Sequence, residues 1–134
     1  MKKLGLIGLT FFAFTFNSFS NEIVSKAEGW NGRYYKKGVN AQCADFVGYI
    51  IKSTGKKPPS NYQKCTNWLS WGQNVNINNL KKGDVIIYSK NSYGYNHIGI
   101  YIGNKKIIHR PTKYRAVTTL NYNYRSIIGI RRAK

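Results

Sequence analysis

The chain has 134 residues, of which 22 are Lys or Arg and only four are Asp or Glu, so its formal net charge is +18. This length allows one domain with one hydrophobic core and excludes a chain of several domains. A gene rich in A and T explains many Lys and Asn codons, but Asp and Glu also have such codons. Their near absence therefore indicates a functional charge and a polyanionic partner.

The first 20 residues have the pattern of a secretory signal peptide. Lys2 and Lys3 form a basic start, residues 4–16 are almost unbroken apolar sequence, and Ser18 and Ser20 are small residues at the positions that a signal peptidase reads. The apolar stretch is shorter than the roughly 20 residues of a membrane span, which disfavours the alternative of an N-terminal anchor. We expect residues 1–20 to be removed, leaving residues 21–134 as one secreted or periplasmic domain without a stable membrane anchor.

The first structured elements are a loop and one amphipathic helix. Residues 29–42, GWNGRYYKKGVNAQ, contain three glycines and no clear period, which predicts a loop. A helical spacing of i, i+3, i+4, i+7 and i+8 follows, with Gly55 as the stop, at Cys43, Phe46, Val47, Ile50, Ile51 and Thr54. Pro58 and Pro59 prevent its continuation. Residues 67–73, NWLSWGQ, fit either a short helix or a turn.

After Leu80 the hydrophobic period changes to two, which predicts β-strands. Five short runs carry this pattern: 84–88, 97–103, 105–109, 115–119 and 126–132. Turn residues join them, including the tight Gly103-Asn104 pair. A helix followed by an antiparallel meander predicts an α+β fold in which the helix covers one face of the sheet.

Cys43 has three possible roles: half of a disulfide, a small buried hydrophobe, or a nucleophile. Cys65 is the only other cysteine, and an even number in an exported protein permits a disulfide between them. However, Cys43 begins the helical stripe, and a helix N-terminus stabilises a thiolate. This position permits a nucleophile, provided that a base lies nearby.

Both histidines of the chain fall in predicted strands, His97 at the start of one and His109 at the end of the next. Alternation places His97 and Gly99 on one face of their strand, where the glycine would let the helix approach closely. His97 could then accept the thiol proton of Cys43. A tight turn at Gly103-Asn104 would make the two strands neighbours, so that His109 could orient the ring of His97.

These segments resemble the NlpC-type cell-wall peptidases, a branch of the papain-like cysteine peptidases. The matching stretches are QCADFV (42–47), LKKGDVIIY (80–88), HIGIYIGNKKIIH (97–109) and IIGIRR (127–132). The resemblance covers about residues 30–132 and implies a papain-like α+β domain, whose N-terminal helix carries the nucleophile and packs on a five- to six-stranded antiparallel sheet.

The resemblance implies Cys43 as nucleophile, His97 as base and His109 as the third polar residue that orients the imidazole. It also implies that the backbone N–H of Cys43 and an upstream tyrosine, Tyr34 or Tyr35, form the oxyanion hole. Ala44-Asp45 replaces the family's Ser-Gly, a departure that bears on bond specificity. Asp45 also has a plain role as an acid in a first helical turn, and Asp84 as a turn residue.

A free nucleophile disfavours the disulfide, so Cys65 is predicted to pack beneath NWLSW. The function implied is a secreted cysteine hydrolase that cleaves an amide bond in peptidoglycan stem peptides, usually between D-glutamate and a diamino acid, without a metal or cofactor. We expect a monomer with peptidoglycan as its partner and no nucleic acid. One alternative is a non-catalytic protein that binds cell-wall or nucleic-acid polyanions, for which the best local evidence is Tyr122 and Tyr124 beside Arg115 and Arg125. Another is a wall-hydrolase toxin or lysis factor on the same fold, and a toxin would imply an immunity protein as its partner.

Overall fold

A computed structural model describes residues 20–134, so the predicted signal peptide lies outside the described residues except for Ser20. Residues 20–28 are helical (α1) and bury Ile23, Val24 and Ala27. The second helix, α2, spans Cys43–Ser53. It ends as predicted, because Gly55 adopts a left-handed φ of 84° and its N–H donates to the carbonyl of Lys52. Within this part of the chain, no helix is long and apolar enough to cross a membrane.

Six antiparallel strands form one sheet in the order β1-β6-β2-β3-β4-β5. Their bounds are β1 Gln73–Asn74, β2 Val85–Tyr88, β3 His97–Gly103, β4 Lys106–His109, β5 Thr118–Asn121 and β6 Ile127–Arg132. The predicted α+β fold with a five- to six-stranded antiparallel sheet is thus confirmed. Of the ambiguous segment 67–73, residues 67–70 belong to a 3₁₀ helix, Cys65–Ser70, and Gln73 begins β1. A second 3₁₀ helix spans Ile77–Asn79.

The fourth predicted strand, 115–119, was placed too early in the chain. The N–H of Val117 donates to the carbonyl of Arg33, and the N–H of Gly32 donates to that of Val117. These bonds tie residue 117 to the loop after α1, so pairing with β4 begins only at Thr118. Strand β1 was missed because its two residues are exposed and too few to show a period.

Helix α2 packs on the opposite face of β3 from the one predicted. Its buried side chains share a core cluster with Ile98 and Ile100, whereas Ile107 belongs to a second cluster. A side chain at Gly99 would meet the Ile107 Cδ1 atom at 2.7 Å, so that space is filled by the neighbouring strand and not by the helix. The interpretation of Gly99 as a helix contact was wrong because the isoleucine face offers α2 far more apolar area to bury.

Candidate active site

Cys43 is the first residue of α2, and its side chain is half-buried. The first N–H groups of a helix have no partner within it, and together with the helix dipole they favour a negative charge at this end. Hydrogen bonding by the backbone N–H of Ala44 contributes to lowering the pKa of the Cys43 thiol. The sequence therefore delivers the sulfur to a place where a thiolate is stabilised.

His97 and His109 lie side by side at one end of the neighbouring strands β3 and β4. Their Nε2 and Nδ1 atoms are 2.7 Å apart, and the two rings stand at 90° to each other. His97 and Cys43 line the same cavity, and His97 lowers the pKa of the Cys43 thiol through hydrogen bonding and its charge. Nδ1 is the ring nitrogen that the contact with His109 leaves for Cys43. The structure thus brings together all three residues that the sequence singled out for a nucleophile, a base and an orienting group.

His109 is buried, with 6% of its surface exposed. Burial, with the nearby charges of His97 and Arg115, lowers the pKa of His109 to about 3. His109 is therefore neutral at ordinary pH. When His97 is protonated, its Nε2–H can donate to the Nδ1 lone pair of His109, which fixes the ring plane of His97 and leaves Nδ1–H directed toward Cys43.

Cys65 is a close neighbour of Cys43: their Sγ atoms are 3.5 Å apart, and both are free thiols. The predicted packing of Cys65 is confirmed, since it lies in the core cluster with Trp68. A hydrogen bond from Cys65, together with the hydrogen bond and charge of His97, lowers the pKa of Cys43 against the opposing effect of burial. The same bond and burial raise the pKa of Cys65, so Cys65 is the S–H donor and Cys43 the thiolate.

The two tyrosines suggested for the oxyanion hole have different surroundings. The hydroxyl of Tyr35 is buried and donates to Oδ2 of Asp45 at 2.6 Å. Lys36 forms an ion pair with the same oxygen at 2.7 Å. Tyr34 is exposed, and Lys37 lies over its ring. Asp45 is in the first turn of α2, as the dipole argument expected, but its carboxylate also ties this helix to the preceding loop.

Arg110 is a residue of the site that the sequence did not reveal. It is 2% exposed and donates to the carbonyls of Tyr35, Lys36 and Val39. Because Arg110 directly follows His109, these bonds fix the loop before Cys43 to the end of β4. Its position directly after His109 was the only signal available, since the carbonyls that it binds are about 70 residues away in sequence, at separations of 71 to 75.

A cavity of about 710 Å³ opens beside Cys43 and His97. Basic residues on its wall are Lys64, Arg110, Lys113 and Arg125, and no acidic residue of the described chain lines it. Neither Tyr34 nor Tyr35 is among the lining residues.

Nη1 of Arg125 donates hydrogen bonds to the carbonyls of Ser89 and Tyr95. Its other nitrogens can still donate, and the cavity is therefore suited to an anionic ligand.

Asp84 is buried at the far end of the sheet from this cavity and does not line it. Its carboxylate accepts the N–H of Lys81, which confirms the turn role, and also forms two hydrogen bonds with Arg132. Among residues 20–134, no group of three or more His, Cys, Asp or Glu side chains could hold a metal ion.

The sequence model of the NlpC/P60 family matches residues 29–129, which is most of the chain. Two curated relatives are the probable peptidoglycan endopeptidase LytE of Bacillus subtilis and the murein DD-endopeptidase/murein LD-carboxypeptidase MepS of Escherichia coli K12. LytE is 27% identical over 78% of this chain and 31% of its own length. MepS is 29% identical over 69% of this chain and 50% of its own length. The chain thus spans half or less of these relatives.

Among solved structures, an NlpC/P60 family protein from Bacillus cereus superposes with a TM-score of 0.70 at 25% identity. The match covers 84% of this chain and 39% of that one. The stretch matched by the family model contains Cys43, His97 and His109, together with the loop that Arg110 anchors.

Proposed function

Because the chain belongs to the NlpC/P60 family, we propose that it is a cysteine peptidase that hydrolyses an amide bond in the stem peptides of peptidoglycan. One observation carries the proposal: Cys43 begins α2 and lines the same cavity as His97, whose Nε2 lies 2.7 Å from Nδ1 of His109. A nucleophile, a base and a group that orients the base form the arrangement that supports thiolate catalysis of acyl transfer.

The reaction would proceed through an acyl-enzyme. The Cys43 thiolate attacks the scissile carbonyl carbon, and the developing oxyanion is stabilised by the N–H of Cys43 at the start of α2. The Nδ1–H of His97 then protonates the leaving amine as the C–N bond breaks. His97 next removes a proton from water, which attacks the thioester and regenerates the Cys43 thiolate. His109 stays neutral and holds the imidazole in place.

The charge of the cavity supports an anionic peptide as substrate. All four acids lie elsewhere: Asp45 pairs with Lys36, Asp84 pairs with Arg132, and Glu22 and Glu28 are exposed on α1. The positive charge of Arg125 and its basic neighbours therefore has no acidic partner on the cavity wall. Stem peptides carry free carboxylates, and wall polymers carry phosphates, so the same charge would also concentrate the enzyme on the wall.

For the bond itself we propose the one between D-glutamate and the diamino acid, which is the usual bond of the family. The name of MepS gives different bonds, DD and LD, for a relative with a similar share of identical residues. The exchange of Ser-Gly for Ala44-Asp45 directly after the nucleophile is a reason to determine the bond by experiment. Export by the N-terminal segment is part of the same proposal, since the substrate lies outside the cytoplasm.

Purified residues 21–134 and a Cys43→Ala variant, incubated with peptidoglycan sacculi, test the proposal, with released fragments identified by mass spectrometry. We expect the unsubstituted protein alone to release fragments that end at D-glutamate. Equal release by both proteins would refute the role of Cys43. Salt-sensitive binding to sacculi without any release would instead support a non-catalytic wall-binding protein.

A further inference from the structure

The proposed mechanism needs one cysteine, yet the cavity contains two. Cys65 lies within 3.5 Å of the Cys43 sulfur, and both residues line the same cavity. Cys65 is 9% exposed, so little of it meets solvent. A small hydrophobic residue would fill the core here equally well, so the thiol itself calls for an explanation.

The two sulfurs are brought together by rigid elements. Cys43 is the first residue of α2, and Cys65 is the first residue of the 3₁₀ helix Cys65–Ser70. That helix is fixed by Trp68, which is fully buried and donates through Nε1 to the carbonyl of Tyr62. A disulfide has an S–S length of about 2.05 Å, so the sulfurs, now 3.5 Å apart, need to approach by about 1.5 Å.

We propose that Cys43 and Cys65 are the two halves of a reversible disulfide that forms on oxidation by a peroxide and switches the enzyme off. The bond itself rests on the geometry of the two thiols, whereas its inhibitory effect rests on the proposed function. A Cys43 sulfur bonded to Cys65 can no longer attack a carbonyl carbon.

Two balanced steps form the bond. The Cys43 thiolate attacks one oxygen of hydrogen peroxide, which gives a sulfenic acid on Cys43 and releases hydroxide. The Cys65 sulfur then attacks the sulfenic sulfur; the S–O bond breaks, the S–S bond forms, and the hydroxyl leaves as water with the Cys65 proton. The two cysteines supply the two electrons that reduce the peroxide, and a dithiol such as dithiothreitol returns them.

The arrangement also decides what happens to the sulfenic acid. Cys65 is already in contact, so it reacts before a second peroxide molecule can carry Cys43 to the irreversible sulfinic acid. A bulky thiol in solution has to enter the cavity to compete, because Cys43 is half-buried and Cys65 is buried. Cys65 would thus protect the nucleophile as well as switch it off.

The test exposes residues 21–134 to a small excess of hydrogen peroxide and measures intact mass, free thiols and release of fragments from sacculi, before and after dithiothreitol. We expect loss of two hydrogen atoms from the mass, loss of both thiols, and a Cys43–Cys65 cross-linked peptide, with thiols and activity restored by dithiothreitol. Added oxygen atoms on Cys43, or a disulfide-linked dimer in place of the internal bond, would overturn the proposal.

Cys65→Ser is the matched variant, close in size to the original side chain, and each protein is compared with its own untreated sample. We expect peroxide to add oxygen to Cys43 of the variant, and dithiothreitol to restore about tenfold less of its starting activity than in the unsubstituted protein. Equal recovery in both would contradict the role of Cys65. If the disulfide forms but the reduced protein releases no fragments, the proposed function fails and the disulfide stands, so the two failures are distinguishable.

Discussion

A neutral, buried His109 makes the stability of the domain depend on pH in a calculable way. Its pKa falls from an ordinary 6.5 to about 3 in the folded protein. Below pH 6.5 His109 therefore binds a proton in the unfolded chain but not in the folded protein, so the free energy of unfolding decreases as pH falls. Above pH 6.5 His109 has almost no effect on the pH dependence of stability. Below it, the free energy of unfolding decreases progressively until the pH reaches about 3, where the folded protein also binds the proton.

The magnitude follows from the same two values. At about pH 5.5, one unit below the pKa of His109 in the unfolded chain, proton binding to the unfolded chain lowers the free energy of unfolding by about 1.4 kcal/mol. At about pH 7.5 the cost is close to zero. The difference does not depend on the folded pKa as long as that value lies well below 5.5. With a urea slope of about 2 kcal/mol/M, the unfolding midpoint shifts by about 0.7 M.

Urea unfolding of wild type and His109→Asn, followed by fluorescence of the buried Trp68 at both pH values, measures this effect. The asparagine amide oxygen can still accept a hydrogen bond from Nε2 of His97, but it does not titrate. We expect wild type to lose about 1.4 kcal/mol more than the variant on acidification. An equal loss in both proteins would refute the assignment of His109 as a neutral acceptor.

Three further predictions concern the thiols, the cavity and a buried ion pair. The pH profile of alkylation by iodoacetamide should give Cys43 a midpoint well below the pH of about 8.5 that is typical of a free cysteine. Cys65→Ala should raise that midpoint, because it removes the hydrogen bond that stabilises the thiolate most, and an unchanged midpoint would contradict this cause. Arg125→Gln should raise KM about tenfold for a stem peptide with free carboxylates and leave KM nearly unchanged for the amidated analogue of that peptide. Both KM and kcat are measured, and equal effects on the two peptides would argue against carboxylate recognition. Asp84→Asn should destabilise the fold by about 2 kcal/mol in urea unfolding, because it removes the negative charge that pairs with the half-buried guanidinium of Arg132, which keeps its bond to the carbonyl of Asn79. A loss below about 1 kcal/mol would show that solvent compensates the charge.

Local pattern was sufficient to predict the elements that carry Cys43, His97 and His109. The helical stripe after Cys43 and the strand runs around both histidines each lie within about a dozen residues, where hydrophobic period and turn residues dominate. The tight turn at Gly103-Asn104 predicted that the strands of the two histidines are neighbours. These strands, β3 and β4, are paired in the structure, and the two rings are in contact.

Contacts made by loops could not be predicted in this way. Arg110 binds three carbonyls of the loop before α2, and Cys65 reaches Cys43 across 22 residues that include two prolines. Neither contact has a period or a spacing that identifies it. The face of β3 that receives α2 was also mistaken, because Gly99 was read as an opening when the side chain of Ile107 already occupies the space beside it.

The proposed mechanism requires that Cys43 forms a covalent bond with the acyl half of a stem peptide. Mixing the protein with a synthetic stem peptide, quenching with acid during turnover and mapping masses by peptide digestion tests it directly. We predict an added mass equal to the acyl fragment on the peptide that contains Cys43, and no such adduct or product with Cys43→Ala. Product formation by Cys43→Ala at the rate of the unsubstituted protein, with no adduct on Cys43 of the unsubstituted protein, would contradict this mechanism.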